Sequence, residues 1–134
     1  MNAIDTGIPQ VALSNGEYLE VDAGESLDLF LTFTDSSGAA VTAANLSALT
    51  LTVYKKSTLE LINSINAIDV NNTGRGTLNG TQMDVRLDGD DTVPIDSKDE
   101  LHVARFVYSY SDGVAVRTNK HRVQYWVRWL PTPS

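Results

Sequence analysis

A chain of 134 residues, 42% hydrophobic and 20% charged, has the balance of one folded domain of ordinary size. It holds no cysteine, which excludes disulfide staples, thiolate nucleophiles and cysteine-based zinc sites. A net charge of −7 argues against a nucleic-acid partner, and no apolar run reaches the ~20 residues of a membrane span.

The charge is unevenly spread. Residues 1–100 carry five Lys/Arg against sixteen Asp/Glu, a net of −11. Residues 101–134 carry five Lys/Arg against Asp112 alone, a net of +4. This pattern predicts an acidic body with a basic stripe.

No helix-length amphipathic pattern occurs; what recurs is short period-two alternation between Gly, Asp, Asn and Ser breaks. Residues 1–16, with Gly7, Pro9 and Asn15-Gly16, read as an extended N-terminal arm with no secretory leader in it. Glu17 to Val21 alternates like a short edge strand. Leu27 to Thr34 is a strong strand with Leu27, Leu29, Leu31 and Phe33 inward and Phe30 outward, ended by the turn Asp35-Ser36-Ser37-Gly38. Leu49 to Tyr54 is a second, with its Thr and Tyr residues outward. Leu59, Leu61 and Ile65 suggest a weaker strand, and residues 71–80 read as a loop. Met83 to Leu87 alternates clearly, and an acidic connection over 88–100 follows.

The last third is a long hairpin. Leu101 to Tyr110 is one arm, Ser111-Asp112-Gly113 the turn, and Val114 to Leu130 the return, with a bulge expected at Thr118-Asn119-Lys120. Val123, Tyr125, Val127 and Trp129 are expected inward; Arg122, Gln124, Trp126 and Arg128 outward. Residues 131–134 read as a flexible Pro-rich tail. About seven short strands make residues 17–130 an all-β domain, an immunoglobulin-like two-sheet antiparallel β-sandwich, with a jelly roll as the alternative.

Catalytic constellations are missing from the pattern. No serine elbow, His-Glu-x-x-His motif or phosphate-binding glycine loop occurs. Of the two histidines, His102 lies on the face of Ala104 and Phe106 and reads as a core histidine, while His121, between Lys120 and Arg122, reads as an interface residue. The acids Asp88, Asp90 and Asp91 invite a calcium reading, but Gly89 interrupts them and the closing Glu of a calcium loop is missing, so a solvated loop is the plainer reading. Neither a metal nor a cofactor is expected. The sharper signal is aromatic and basic. Trp126 between arginines on an outward face, with Phe30, Arg117, Lys120, Arg122 and Arg128, is the expected partner-binding set, because Trp and Arg are enriched at interface hot spots.

Two stretches carry a resemblance. Leu49-Thr50-Leu51-Thr52-Val53-Tyr54 running through a polar turn into Ile62-Asn63, and Glu100-Leu101-His102-Val103-Ala104-Arg105-Phe106 with Lys120-His121-Arg122-Val123 after the hairpin, resemble small structural proteins of tailed-phage virions. The resemblance spans about residues 46–130 and brings no catalytic residue with it. Arg105, Arg117, Arg122 and Arg128 depart from the more neutral or acidic hairpin of those proteins. The resemblance implies an immunoglobulin-like virion protein, made in the host cytoplasm and carried on the particle. As a capsid decoration or cement protein it would bind the major capsid protein or other virion proteins, as a homo-oligomer. The alternatives are a neck, tail or baseplate module, or a host-surface carbohydrate-binding module.

Overall fold

The computed structural model describes residues 2–5, 19–35 and 37–129. Beyond residues 2–5 the expected N-terminal arm lies outside the described residues, as do Leu130 and the tail over 131–134. The strands, in chain order, are β1 (Asn2–Asp5), β2 (Leu19–Asp22), β3 (Leu27–Leu31), β4 (Phe33–Thr34), β5 (Ala40–Val41), β6 (Leu46–Lys55), β7 (Ile68–Asp69), β8 (Gly76–Asn79), β9 (Gln82–Leu87), β10 (Glu100–Ser111) and β11 (Val116–Arg128). Two short 3-10 turns, at Ala43–Asn45 and Gly89–Asp91, are the only helical elements among the described residues.

Alternation gives each long strand one face for a core, and two such sheets satisfy each other. The four-stranded sheet runs β1-β3-β9-β8 and the five-stranded sheet β2-β11-β10-β6-β7, with β4 and β5 paired separately. Leu27, Leu29 and Leu31 of β3 and Met83, Val85 and Leu87 of β9 supply one inner face. Leu49, Leu51 and Val53 of β6, Ala104, Phe106 and Tyr108 of β10, and Val123, Tyr125 and Val127 of β11 supply the other. The result is an all-β two-sheet sandwich consistent with the immunoglobulin-like class. Pairing is antiparallel except at one edge of each sheet, where β1 runs parallel to β3 and β2 parallel to β11.

Several local expectations change. The strand expected over Leu27 to Thr34 breaks at Thr32; Phe33 stays inward, but β4 pairs with β5 beyond the turn at Asp35. The Asp35 carboxylate accepts from the Ser37 and Ala39 N–H groups, each at 2.9 Å, and closes that turn. The weak strand suggested by Leu59, Leu61 and Ile65 is instead an irregular connection. Leu59, Asn63, Ser64 and Ala67 all have left-handed backbone, which destroys period-two alternation. Ile62 and Ile65 go inward while Leu59 and Leu61 are exposed, at 69% and 43%.

The hairpin also differs. Its register runs without a break from Glu100↔Val127 to Ser111↔Val116, so no bulge forms at Thr118-Asn119-Lys120. The irregularity lies on the other side of β10, between Ser109 and Tyr110 where it meets β6. His121, expected at an interface, is buried against Phe33 and Tyr108, because an unbroken β11 keeps residue 121 on the face of Val123 and Tyr125. Trp129, expected inward, is 38% exposed: β11 ends at Arg128, and the Trp129 N–H donates to Asp99 at 2.8 Å.

The acidic connection is anchored inside the fold. Asp91, fully buried, receives the Arg75 Nε at 2.8 Å, the Arg75 Nη2 at 2.9 Å and the Asn63 Nδ2 at 2.8 Å, and also accepts from the Asp88 N–H. Its oxygens are thus occupied by protein donors, which corrects the reading of this stretch as simply solvated. Among the described residues no group of three or more His, Asp or Glu side chains is arranged to hold a metal ion. Burial pushes the Asp91 carboxyl up, but the hydrogen bonds from Arg75, Asn63 and Asp88 outweigh it and hold the group below the ordinary carboxylate range.

Asp91→Asn should therefore destabilise the domain by about 3 kcal/mol at neutral pH, since it strands Arg75 against a neutral partner. A carboxyl lowered by folding stabilises above its unfolded value of ~3.9 and loses that contribution as pH falls through the folded value. Urea unfolding of both proteins is expected to show a gap at pH 7 that narrows towards pH 3; a gap independent of pH would contradict the ion-pair account.

Candidate functional site

The outer face of the five-stranded sheet is built by the residues that alternate with the core set. From β6 come Thr50, Thr52 and Tyr54; from β10, Leu101, Val103, Arg105, Val107 and Ser109; from β11, Thr118, Lys120, Arg122, Gln124, Trp126 and Arg128; from β2, Glu20 and Asp22. Register places them in rows. Thr52, Arg105 and Arg122 form one row, and Thr50, Val107 and Lys120 the next. Arg105 and Arg122 thus face each other directly, with Lys120 one step away on the same strand as Arg122.

These three cations, with Thr52, Tyr54, Leu59 and Leu61, line an open depression of about 620 Å³. The two leucines are presented by the left-handed connection after β6, so an apolar wall stands beside the cationic floor. Like charges directly opposite in adjacent strands repel, and among the described residues no carboxylate relieves them. Among the described residues no carboxylate lies within ion-pairing distance of Arg105, Lys120 or Arg122.

Every other arginine is committed. Arg75 pairs with Asp91, Arg86 with Asp88 at 2.6 Å, Arg117 with Asp112 at 2.7 Å, and Arg128 with both Glu20 and Asp99, the latter at 2.9 Å. In so acidic a chain, two facing arginines with no carboxylate partner among the described residues are a distinctive placement.

The six residues expected to bind a partner do not form one surface. Lys120 and Arg122 belong to the cationic depression. Trp126 and Arg128 share that face but lie nearer the strand end. The Arg128 guanidinium sits 5.3 Å over the Trp126 ring, a cation–π contact, and its two carboxylate partners raise its pKa further. Trp126 borders a second depression with Lys55, Lys56, Leu101 and Asp99. Beneath it Lys55 bonds to Asp96 and lies 3.6 Å from Glu100, which accepts from His102 Nε2 at 2.9 Å. His102 is fully buried; burial lowers its pKa more than Glu100 restores it, which favours the neutral ring. This is the core role expected of it.

Arg117 lies at the hairpin tip, bound to Asp112. That carboxylate is held well below the ordinary range by the Ala115 N–H first, then by Arg117 and the Val114 N–H. Phe30 lies on the other sheet, in β3 opposite Asp84, on the far side of the sandwich. Arg105, Tyr54, Thr52, Leu59 and Leu61 were not in the expected set. Arg105 alternates with Ala104 and Phe106, a signal that puts it outward; that it meets Arg122 depends on hairpin register.

No family model matches this chain and no curated protein matches it. Among solved structures it is similar in fold to the N-terminal domain of phage TP901-1 ORF48, with a TM-score of 0.49, 11% sequence identity and 94% of each chain covered.

Arg122→Glu, which turns the facing like-charge pair into an opposite-charge pair, should stabilise the isolated domain by about 0.5–1 kcal/mol. Thermal melting at low salt, at a dilution where sedimentation shows a monomer, checks this; a lower melting temperature would show that the arginines are relieved in a way the geometry does not contain.

Proposed function

We propose that this chain is a non-catalytic structural subunit of a tailed-phage particle, which docks an acidic protein surface against the outer face of its five-stranded sheet. The observation that carries the reading is the Arg105–Arg122–Lys120 cluster, which has no counter-charge among the described residues and lies beside Leu59 and Leu61. Arginine forks pair carboxylates two-pronged, and an apolar wall supplies area that an ionic contact alone lacks. Holding such a cluster costs the free domain stability, and an acidic partner would return it.

The virion setting rests on the sequence resemblance over residues 46–130. Within it, capsid decoration is the finer reading: many copies on a shell make a modest contact sufficient through avidity. The major capsid protein would then be the partner, and the chain would be made in the host cytoplasm and leave on the particle. A carbohydrate-stacking role for Trp126 is the weaker alternative, because Arg128 already lies over the ring.

Particles lacking this protein, mixed with the purified chain, test the reading. Arg105→Glu together with Arg122→Glu should weaken binding by about 100-fold while the domain still melts cooperatively, and wild-type binding should fall steeply with salt. Undiminished binding by the double variant would move the docking surface elsewhere. Copy number by cryo-electron microscopy separates shell from tail: hundreds of copies fit decoration, and density confined to the tail does not.

A further inference from the structure

The two aromatic residues singled out for partner binding, Phe30 and Trp126, stand on opposite outer faces of the sandwich, and those faces carry opposite charge. The outer face of the four-stranded sheet presents Asp28 and Phe30 from β3, Gln82, Asp84 and Arg86 from β9, and Thr77 and Asn79 from β8. Among the described residues Asp84 accepts from neutral amides, Asn79 and Gln82, each at 2.9 Å. Asp28 stands opposite Arg86, but Arg86 is bonded to Asp88 at 2.6 Å. Among the described residues neither Asp28 nor Asp84 has a cation within ion-pairing distance. Phe30, half-buried, lies directly opposite Asp84 and next after Asp28 on the same face of β3.

We infer that copies of this chain pack head to tail, the cationic outer face of the five-stranded sheet of one copy against the acidic outer face of the four-stranded sheet of the next. This rests on the reading that the cationic face docks protein, and it names a second copy as an occupant.

Sign decides the geometry. Two cationic faces repel, as do two acidic ones, so a symmetric dimer through either face is disfavoured. Only unlike faces combine, and because they lie on opposite sides of the sandwich, each added copy leaves one free face of each kind. Such an interface closes into a ring or extends as a row. The spacing is compatible: Asp28 and Asp84 are diagonal neighbours, roughly 7–8 Å apart at the backbone, and a pair of facing arginines roughly 4.5–5.5 Å apart can splay to meet them. Leu59 and Leu61 would pack towards Phe30.

Sedimentation equilibrium of the full chain tests this with two neutralising variants. One carries Arg105→Gln and Arg122→Gln, the other Asp28→Asn and Asp84→Asn; circular dichroism checks that both fold. At about 50 mM salt the wild type should associate beyond the dimer with rising concentration, and at about 500 mM it should be monomeric. Each variant alone should remain monomeric. An equimolar mixture should stop at a one-to-one dimer, because only one compatible pair of faces remains. A wild type monomeric at low salt, a single variant that still associates, or a mixture that fails to pair would each overturn the inference. If the Arg-to-Gln variant loses particle binding while the wild type is a monomer, head-to-tail packing is wrong and the docking face stands.

Discussion

The register of β10 on β11 is the constraint on which the rest depends. The two strands pair without interruption over twelve residues, and β10 is also the strand that β6 joins. Because side chains alternate, one register decides both layers at once: it sends Phe106, Tyr108, His121, Val123 and Tyr125 into the core, and it sets Arg105 opposite Arg122 on the outside. A slip of one residue would expose the aromatic set and bury the arginines, which the core energy forbids. The costly outer pairing is thus locked in by the inner one. At the base of the hairpin the Lys55–Glu100–His102 cluster ties β6 to β10, and the buried Asp91–Arg75 pair ties the acidic connection to the loop before β8.

Much of this was legible in the residues. The leucines of β3, the Leu/Thr alternation of β6 and the Met83–Leu87 strand all read correctly, since each has one apolar face and strong strand propensity. The Asp112-Gly113 turn is where it is expected, but it runs on to Ala115, and the return strand starts at Val116 rather than Val114. What failed has physical causes. The stretch from Leu59 to Ile65 contains left-handed residues other than glycine, which no alternation rule anticipates. The charged neighbours Lys120 and Arg122 point to an interface position for His121, but strand alternation is the stronger rule. The bulge expected at Thr118-Asn119-Lys120 came from composition, and the hairpin ladder accommodates those residues without it.

The site was half legible. Alternation alone puts Lys120, Arg122, Trp126 and Arg128 on one outward stripe, but it cannot say which cations have partners. That needs the folded contacts: Asp112 neutralises Arg117 across the hairpin turn, Glu20 and Asp99, far away in sequence, neutralise Arg128, and no carboxylate among the described residues reaches Arg105 or Arg122. Net charge by chain segment pointed towards a basic stripe. Tertiary structure narrows that stripe to three side chains and sets the two exposed leucines beside them.

The proposed meeting point with an acidic partner is this three-cation face. A cryo-electron microscopy reconstruction of the particle, at a resolution that places each strand, tests it most directly. Arg105 and Arg122 are expected to be buried against carboxylates of a neighbouring protein or a neighbouring copy. A sandwich seated on the particle with Arg105, Lys120 and Arg122 all facing solvent would contradict it.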